Sequence, residues 1–196
     1  MELPLGTGTV DVRLPDCDVT VAEPPGGEPV DVRSAAERAL ADPLGPPVAD
    51  RVEPDDEVVI VVTDITRKAP DDVLLDVLLD RLADCGVDRD RVTVLIGLGL
   101  HRPMTEAEIE SMLGPHAGLA VNHDPESVVE IGTVEADDVP VEIGEPIASA
   151  DVVLSTGVVE PHQYAGFSGG AKTVVIGAGS ESLIRYTHGP AMLARE

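Results

Sequence analysis

EVVIVVT, residues 57 to 63, is a near-continuous run of β-branched and aliphatic side chains, too short for a buried helix and too apolar for a strand with one wet face. RVTVLIG (91 to 97) and DVVLS (151 to 155) read the same way. Strands covered on both faces are those of a parallel sheet packed between helices. The intervening sequence supplies the helices: PDDVLLDVLLDRLADCG (70 to 86) is amphipathic, and Thr105 with Glu108 forms a capping box that opens a short helix. Weaker strands are expected near 128 to 131 and 139 to 143, and a helix over SAAERALAD (34 to 42) ahead of the breaker PLGPP. The expected fold is therefore α/β, a Rossmann-like parallel sheet with a mixed edge. Upstream, TVDVRL (9 to 14) and DVTVA (18 to 22) alternate with period two and precede the loop EPPGGEP (23 to 29), predicting a small β-rich N-terminal segment.

The composition narrows the class of function. Thirteen Lys and Arg stand against 37 Asp and Glu, a formal net charge of −24, and only Lys68 and Lys172 are lysine. Such a field repels nucleic acid and anionic lipid, so neither is an expected partner. With 43% hydrophobic residues the chain is expected to fold, which makes the acidity an adaptation to a saline, halophilic cytoplasm. No basic stretch precedes an apolar run at the N-terminus, and no uncharged apolar stretch of spanning length occurs; the expected location is cytoplasmic. Cys17 and Cys85 have no metal or redox spacing and are expected to be idle thiols.

Ligands of open α/β sheets bind beyond the carboxyl ends of the strands. The three apolar strands end in TDITRKAP (63 to 70), GLGLHRPMT (97 to 105) and STGVVEPHQYAGFSGGAKT (155 to 173), so these clusters should converge. Together they bring Asp64, Thr66, Arg67, His101, Arg102, His162 and Lys172 to one edge. Gly166, Gly169 and Gly170 flank Ser168 and precede Lys172, an arrangement whose backbone N–H groups could cradle an anion. The spacing is neither that of a Walker A loop nor that of a dinucleotide fingerprint. No carboxylate lies between Glu160 and Glu181. Arg67 and Arg102 suit a carboxylate or phosphate. His101, His162 and His188 suit acid/base work or metal ligation, whereas His116 and His123 lie in a polar stretch and are expected to face solvent.

GLHRP, EPHQYAGFSGGAKT and a histidine at 188 together resemble the N-terminal domain of the nickel-pincer lactate racemase family, and the resemblance runs from TDITR to His188. It implies a nickel ion held by a pyridinium mononucleotide with thioamide and thiocarboxylate arms, made by dedicated cofactor-synthesis enzymes. It assigns Lys172 to the tether, His188 to nickel, and His101 with His162 to proton transfer on a small 2-hydroxy acid. It places Asp64, Thr66 and Arg67 near cofactor or substrate, and the loop of Gly166, Ser168, Gly169 and Gly170 beside the nucleotide phosphate. It also implies a second α/β domain, from a further segment or a partner chain. Where the family often reads DHTRP, this chain reads Asp64-Ile65-Thr66-Arg67-Lys68. Two other readings remain at this stage: a module that stores cofactor without turnover, and a plain phosphate-binding domain, which leaves His101 and His188 unexplained.

Overall fold

The computed structural model describes residues 1–6, 8–22, 26–163 and 165–194. The chain divides into two compact units, Met1–Val30 and Asp31–Glu196. In the first, β1 (Glu2–Leu5) pairs antiparallel with β2 (Gly8–Asp11), and the register runs from Glu2↔Asp11 to Leu5↔Gly8. Gly6 turns the chain with a φ of 60°, the left-handed region that glycine enters without strain. The N-terminal segment is thus β-rich as expected, with TVDVRL contributing β2 but Glu2–Leu5, rather than DVTVA, supplying its partner. Residues 18 to 22 form no strand, lying between Pro15 and a Pro/Gly loop; of that loop Glu23, Pro24 and Pro25 lie outside the described residues.

The second unit is built on the three apolar runs. β3 (Val58–Thr63) lies between β4 (Val92–Gly97) and β8 (Val152–Ser155), with β5 (Ala120–Asn122) beyond β4, and every pairing in this four-stranded sheet is parallel. The antiparallel character expected at an edge forms its own ribbon, β6 (Val128–Val134) with β7 (Val139–Gly144), bulged between Glu130 and Gly132.

Alternation along β3 fills both faces. Val58, Ile60 and Val62 join Leu75, Leu79 and Leu82 of α2 (Asp71–Asp84) and Leu113 of α3 (Glu106–Leu113); α1 (Val32–Ala41), capped by Asp31, packs on α2. Val59 and Val61 face the other way, onto Ile143, Ile147 of α4 (Glu145–Ser149) and Ala178. Truncating a side chain such as Ile60, fully buried, to alanine is expected to cost about 2–5 kcal/mol through lost transfer energy and the cavity left behind. The Thr105–Glu108 capping box is formed on both sides.

The chain runs outward from β3 through β4 to β5 and then returns to β8 on β3's other flank. The helix that follows β3, α2, lies on one face of the sheet and the segment of Val174 that follows β8 on the other, and a crevice opens between them at the carboxyl edge. Downstream of β8, the short pair β9 (Pro161–His162) and β10 (Gly166–Phe167) leads into α5 (Ala171–Val175), α6 (Glu181–Thr187) and α7 (Pro190–Leu193). Among the described residues no helix is long and apolar enough to cross a membrane.

Candidate active site

A cleft of about 460 Å³ occupies that edge, lined from all three strand ends. Asp64, Thr66 and Arg67 enter from the β3 loop, His101 from the β4 loop, His162, Ser168 and Gly169 from the segment after β8, and Lys172 and His188 from α5 and the end of α6. Gly166 and Gly170 do not line it. Gly170 instead caps α5 with φ 52° and ψ −131°, a conformation open to glycine almost alone. Tyr164, within the same motif, lies outside the described residues.

The β3 loop starts as an Asx turn. Asp64 Oδ1 accepts from the Thr66 backbone N–H at 2.9 Å and from its hydroxyl at 2.5 Å, which is why an aspartate stands two residues before a threonine. Oδ2 takes Nδ1 of His101. Burial pushes the Asp64 carboxyl up, but the Thr66 hydroxyl, His101 and the Thr66 amide together outweigh it and hold the group below its usual range. An ionised Asp64 accepts the Nδ1 proton of His101, which leaves the lone pair of the neutral ring on Nε2. Asp64 is 5% exposed while the His101 side chain is 53% exposed, so a rooted carboxylate aims an accessible imidazole.

His162 is set the opposite way. Its Nδ1 accepts from the Ala165 N–H at 3.3 Å, which places the proton of the neutral ring on Nε2. Burial, then the charges of Lys172, His188 and Arg67, lower its pKa. The His162 and His188 rings meet edge to face with centroids 5.7 Å apart.

His188 caps α6, and its Nδ1 lies 2.9 Å from the Thr187 hydroxyl. That hydroxyl also reaches the carbonyls of Leu183 at 3.0 Å and Ile184 at 3.1 Å. The hydroxyl has one proton for these three acceptors, and when a carbonyl takes it, the oxygen accepts from Nδ1–H of His188. The ring's lone pair is then on Nε2, the form in which imidazole ligates a metal. Burial and the Lys172 charge lower the His188 pKa, against a smaller pull from the Ile184 carbonyl. Burial, with the neighbouring Arg67 charge, also lowers the Lys172 amine, easing its conversion to the neutral nucleophile.

Ser168 has both of its donors engaged, its hydroxyl to Val158 O at 2.7 Å and its N–H to Glu160 O at 2.8 Å. It closes the loop that carries His162. Below the cleft Asp71, fully buried at the start of α2, accepts from the Thr156 hydroxyl at 2.7 Å and so ties the β3 loop to the β8 loop. Burial pushes its carboxyl up.

Three expectations are corrected. Arg102 is not in the cleft: its guanidinium grips Glu108 bidentately at 2.6 and 2.8 Å, holding that carboxyl at about 2. His116 does not face solvent but is 5% exposed, its Nε2 2.6 Å from Asp76 and its Nδ1 3.0 Å from Arg89. His123, 3% exposed, donates from Nε2 to Gly179 O at 2.9 Å. The sequence reading also missed Glu160, which lines the cleft mouth although it borders the acid-free window.

The fold and cleft define an α/β domain that gathers three histidines and a half-buried lysine at one sheet edge. The chain matches the lactate racemase N-terminal domain over residues 5–196, and it belongs to that family. It is 31% identical over 166 residues to the lactate racemase of Lactiplantibacillus plantarum, covering 80% of this chain and 38% of that protein. It is 30% identical over 199 residues to the lactate racemase of Thermoanaerobacterium thermosaccharolyticum, covering 96% and 46%. The solved lactate racemase apoprotein from the latter organism matches with a TM-score of 0.72 at 29% identity, over 92% of this chain and 44% of that one. A Thermotoga maritima protein of TM-score 0.59 and 24% identity shares the fold. The chain spans less than half the length of the curated relatives it matches.

Proposed function

We propose that this chain is the catalytic, cofactor-holding half of a racemase for lactate or a related 2-hydroxy acid, dependent on a nickel-pincer nucleotide. The observation that carries this reading is the convergence of the Asp64–His101 pair, His162, His188 and Lys172 on one cleft, in a chain of the lactate racemase family. The donor set fits the cofactor: a depressed amine at Lys172 suits a covalent tether, and a neutral His188 with its lone pair on Nε2 suits nickel. When bound, the group supplies the acceptor and donor of the substrate's Cα hydride.

The chain's own residues move the proton. His101, aimed by Asp64, takes the hydroxyl proton of one hand of the substrate at Nε2. Loss of that proton and of the Cα hydride leaves a planar 2-keto acid. His162, entering the turnover as the imidazolium, protonates the alkoxide from Nε2 when hydride returns to the opposite face, so that it becomes neutral as His101 becomes charged. Arg67, with no salt bridge to a described carboxylate, is the cation for the substrate carboxylate. A second domain would exclude water from the cleft.

The test is covalent. Protein co-produced with active cofactor-synthesis enzymes should gain a mononucleotide-sized mass on the peptide holding Lys172. Lys172→Ala should lack it, and His188→Ala should keep the mass but lose nickel. In the loaded enzyme joined to its second domain, His101→Ala and His162→Ala should each abolish racemisation with loading intact. Unmodified protein, where the same synthesis enzymes load a known racemase, refutes the reading and leaves a phosphate-binding domain.

A further inference from the structure

The residues Gly177, Ala178 and Gly179 link α5, which carries Lys172, to α6, which carries His188. Three successive carbonyls of this strap are each held by a different part of the fold. Gly99 N–H, from the β4 loop, donates to Gly177 O at 2.8 Å. Gly144 N–H, at the end of β7, donates to Ala178 O at 2.7 Å. The third donor is a side chain, His123 Nε2 to Gly179 O at 2.9 Å. Ser180 follows at once as the N-cap of α6, its hydroxyl accepting from Leu183 N–H at 3.2 Å. The orientation of α6, and with it the place of His188, is therefore set by how the strap is pinned.

His123 is itself rooted. It follows β5, and its own N–H donates to Ile96 O of β4 at 3.1 Å. Its ring packs so closely on Gly144 that a Cβ there would lie 3.0 Å from Nδ1. Because a carbonyl can only accept, Nε2 must carry the ring proton. Gly179 is buried, so a residue without a donor at 123 would leave its carbonyl without its partner.

We infer that His123 is a positioning residue of the cleft: by pinning Gly179 it fixes the strap and so the separation of the Lys172 amine from the His188 imidazole. The inference rests on the proposed function for its metal and tether consequences, though not for the geometry of the strap. His123 does not itself line the cleft and acts through the strap and α6.

The test compares His123→Gln with His123→Asn. Glutamine places its amide nitrogen near the position of imidazole Nε2 and can still reach Gly179; asparagine falls short. In the unloaded chain, His123→Asn should speed amide exchange at Gly99 and Gly144 about tenfold while exchange in β3 is unchanged, because the opening is local. It should also weaken the ring-current signature of the His162–His188 contact. After co-production with the cofactor-synthesis enzymes, His123→Asn should keep the Lys172 mass but retain several-fold less nickel. His123→Gln should restore all three readouts. Wild-type behaviour in His123→Asn, loss in both variants alike, or failure of both to fold would overturn the positioning role. If the wild-type chain gains neither mass nor nickel, the proposed function fails, and the exchange and ring-current measurements still decide the role of His123.

Discussion

Gly177 is the point where the strap meets the sheet, and adding one methyl group there measures how tight the seat is. A Cβ at 177 would lie 2.3 Å from Thr173 O and 3.2 Å from Gly97 Cα. Both distances fall below the separation of roughly 3.5 Å at which such atoms attract. Both obstacles are backbone, so no rotamer change relieves the overlap, and α5 or the end of β4 must move. Overpacking of this kind costs about 1–3 kcal/mol, of which the stiffer unfolded chain returns about 0.4–1 kcal/mol. Taking the middle of each range, about 2 less about 0.7, the net loss for Gly177→Ala is about 1.3 kcal/mol, and for a chain of this size about 3–5 °C in melting temperature. The assay is thermal unfolding by far-ultraviolet circular dichroism. Gly118→Ala serves as the control, since nothing lies within 4 Å of a Cβ there and its φ is ordinary; it should melt at or slightly above wild type. A Gly177→Ala protein that melts at or above the wild-type temperature refutes the close seat.

Two further outcomes follow from charge. The folded pKa of His188 is lowered, so below its ordinary value of 6.5 the unfolded chain binds the proton that the folded ring resists, and this stabilising contribution is lost as pH falls. His188→Gln, which cannot titrate, should therefore gain in urea midpoint relative to wild type between pH 7 and pH 5, and a constant gap contradicts the lowered value. Molar KCl should raise the melting temperature by screening a net charge of −24, and a melting point that is unchanged or lower in salt removes the halophilic explanation of the composition.

The sheet was legible because its evidence is local. β3, β4 and β8 are runs of Val, Ile and Leu whose covered faces leave no polar alternation, and α2 carries its apolar stripe in plain view. β5 escaped because it has three residues and its pairing comes from β4 rather than from its own pattern. Convergence of the three polar clusters could be read from fold rules, since carboxyl ends of parallel strands share an edge. The state of each side chain within them could not. Arg102 was expected to meet a ligand, yet Glu108, already visible as the capping-box partner of Thr105, takes it first. His116 and His123 looked polar and exposed because the groups that bury them lie 40 and 56 residues away, at Asp76 and Gly179. No window of sequence around either histidine contains that partner.

The strap also bears on the order in which the molecule forms. Its side-chain bond closes a loop of 56 residues, from His123 to Gly179, and its bond from Gly99 reaches as far as Gly177. Such closures lose chain entropy before any contact offsets it, whereas α2 and the β3–β4 pairing need only nearby sequence. The β3–β4 part of the sheet, with α2 on it, should therefore be in place before α5 and α6 are seated. Lys172 and His188 would be brought together in the last step of folding, and a chain caught just short of that step would have a complete core and an unfinished cleft.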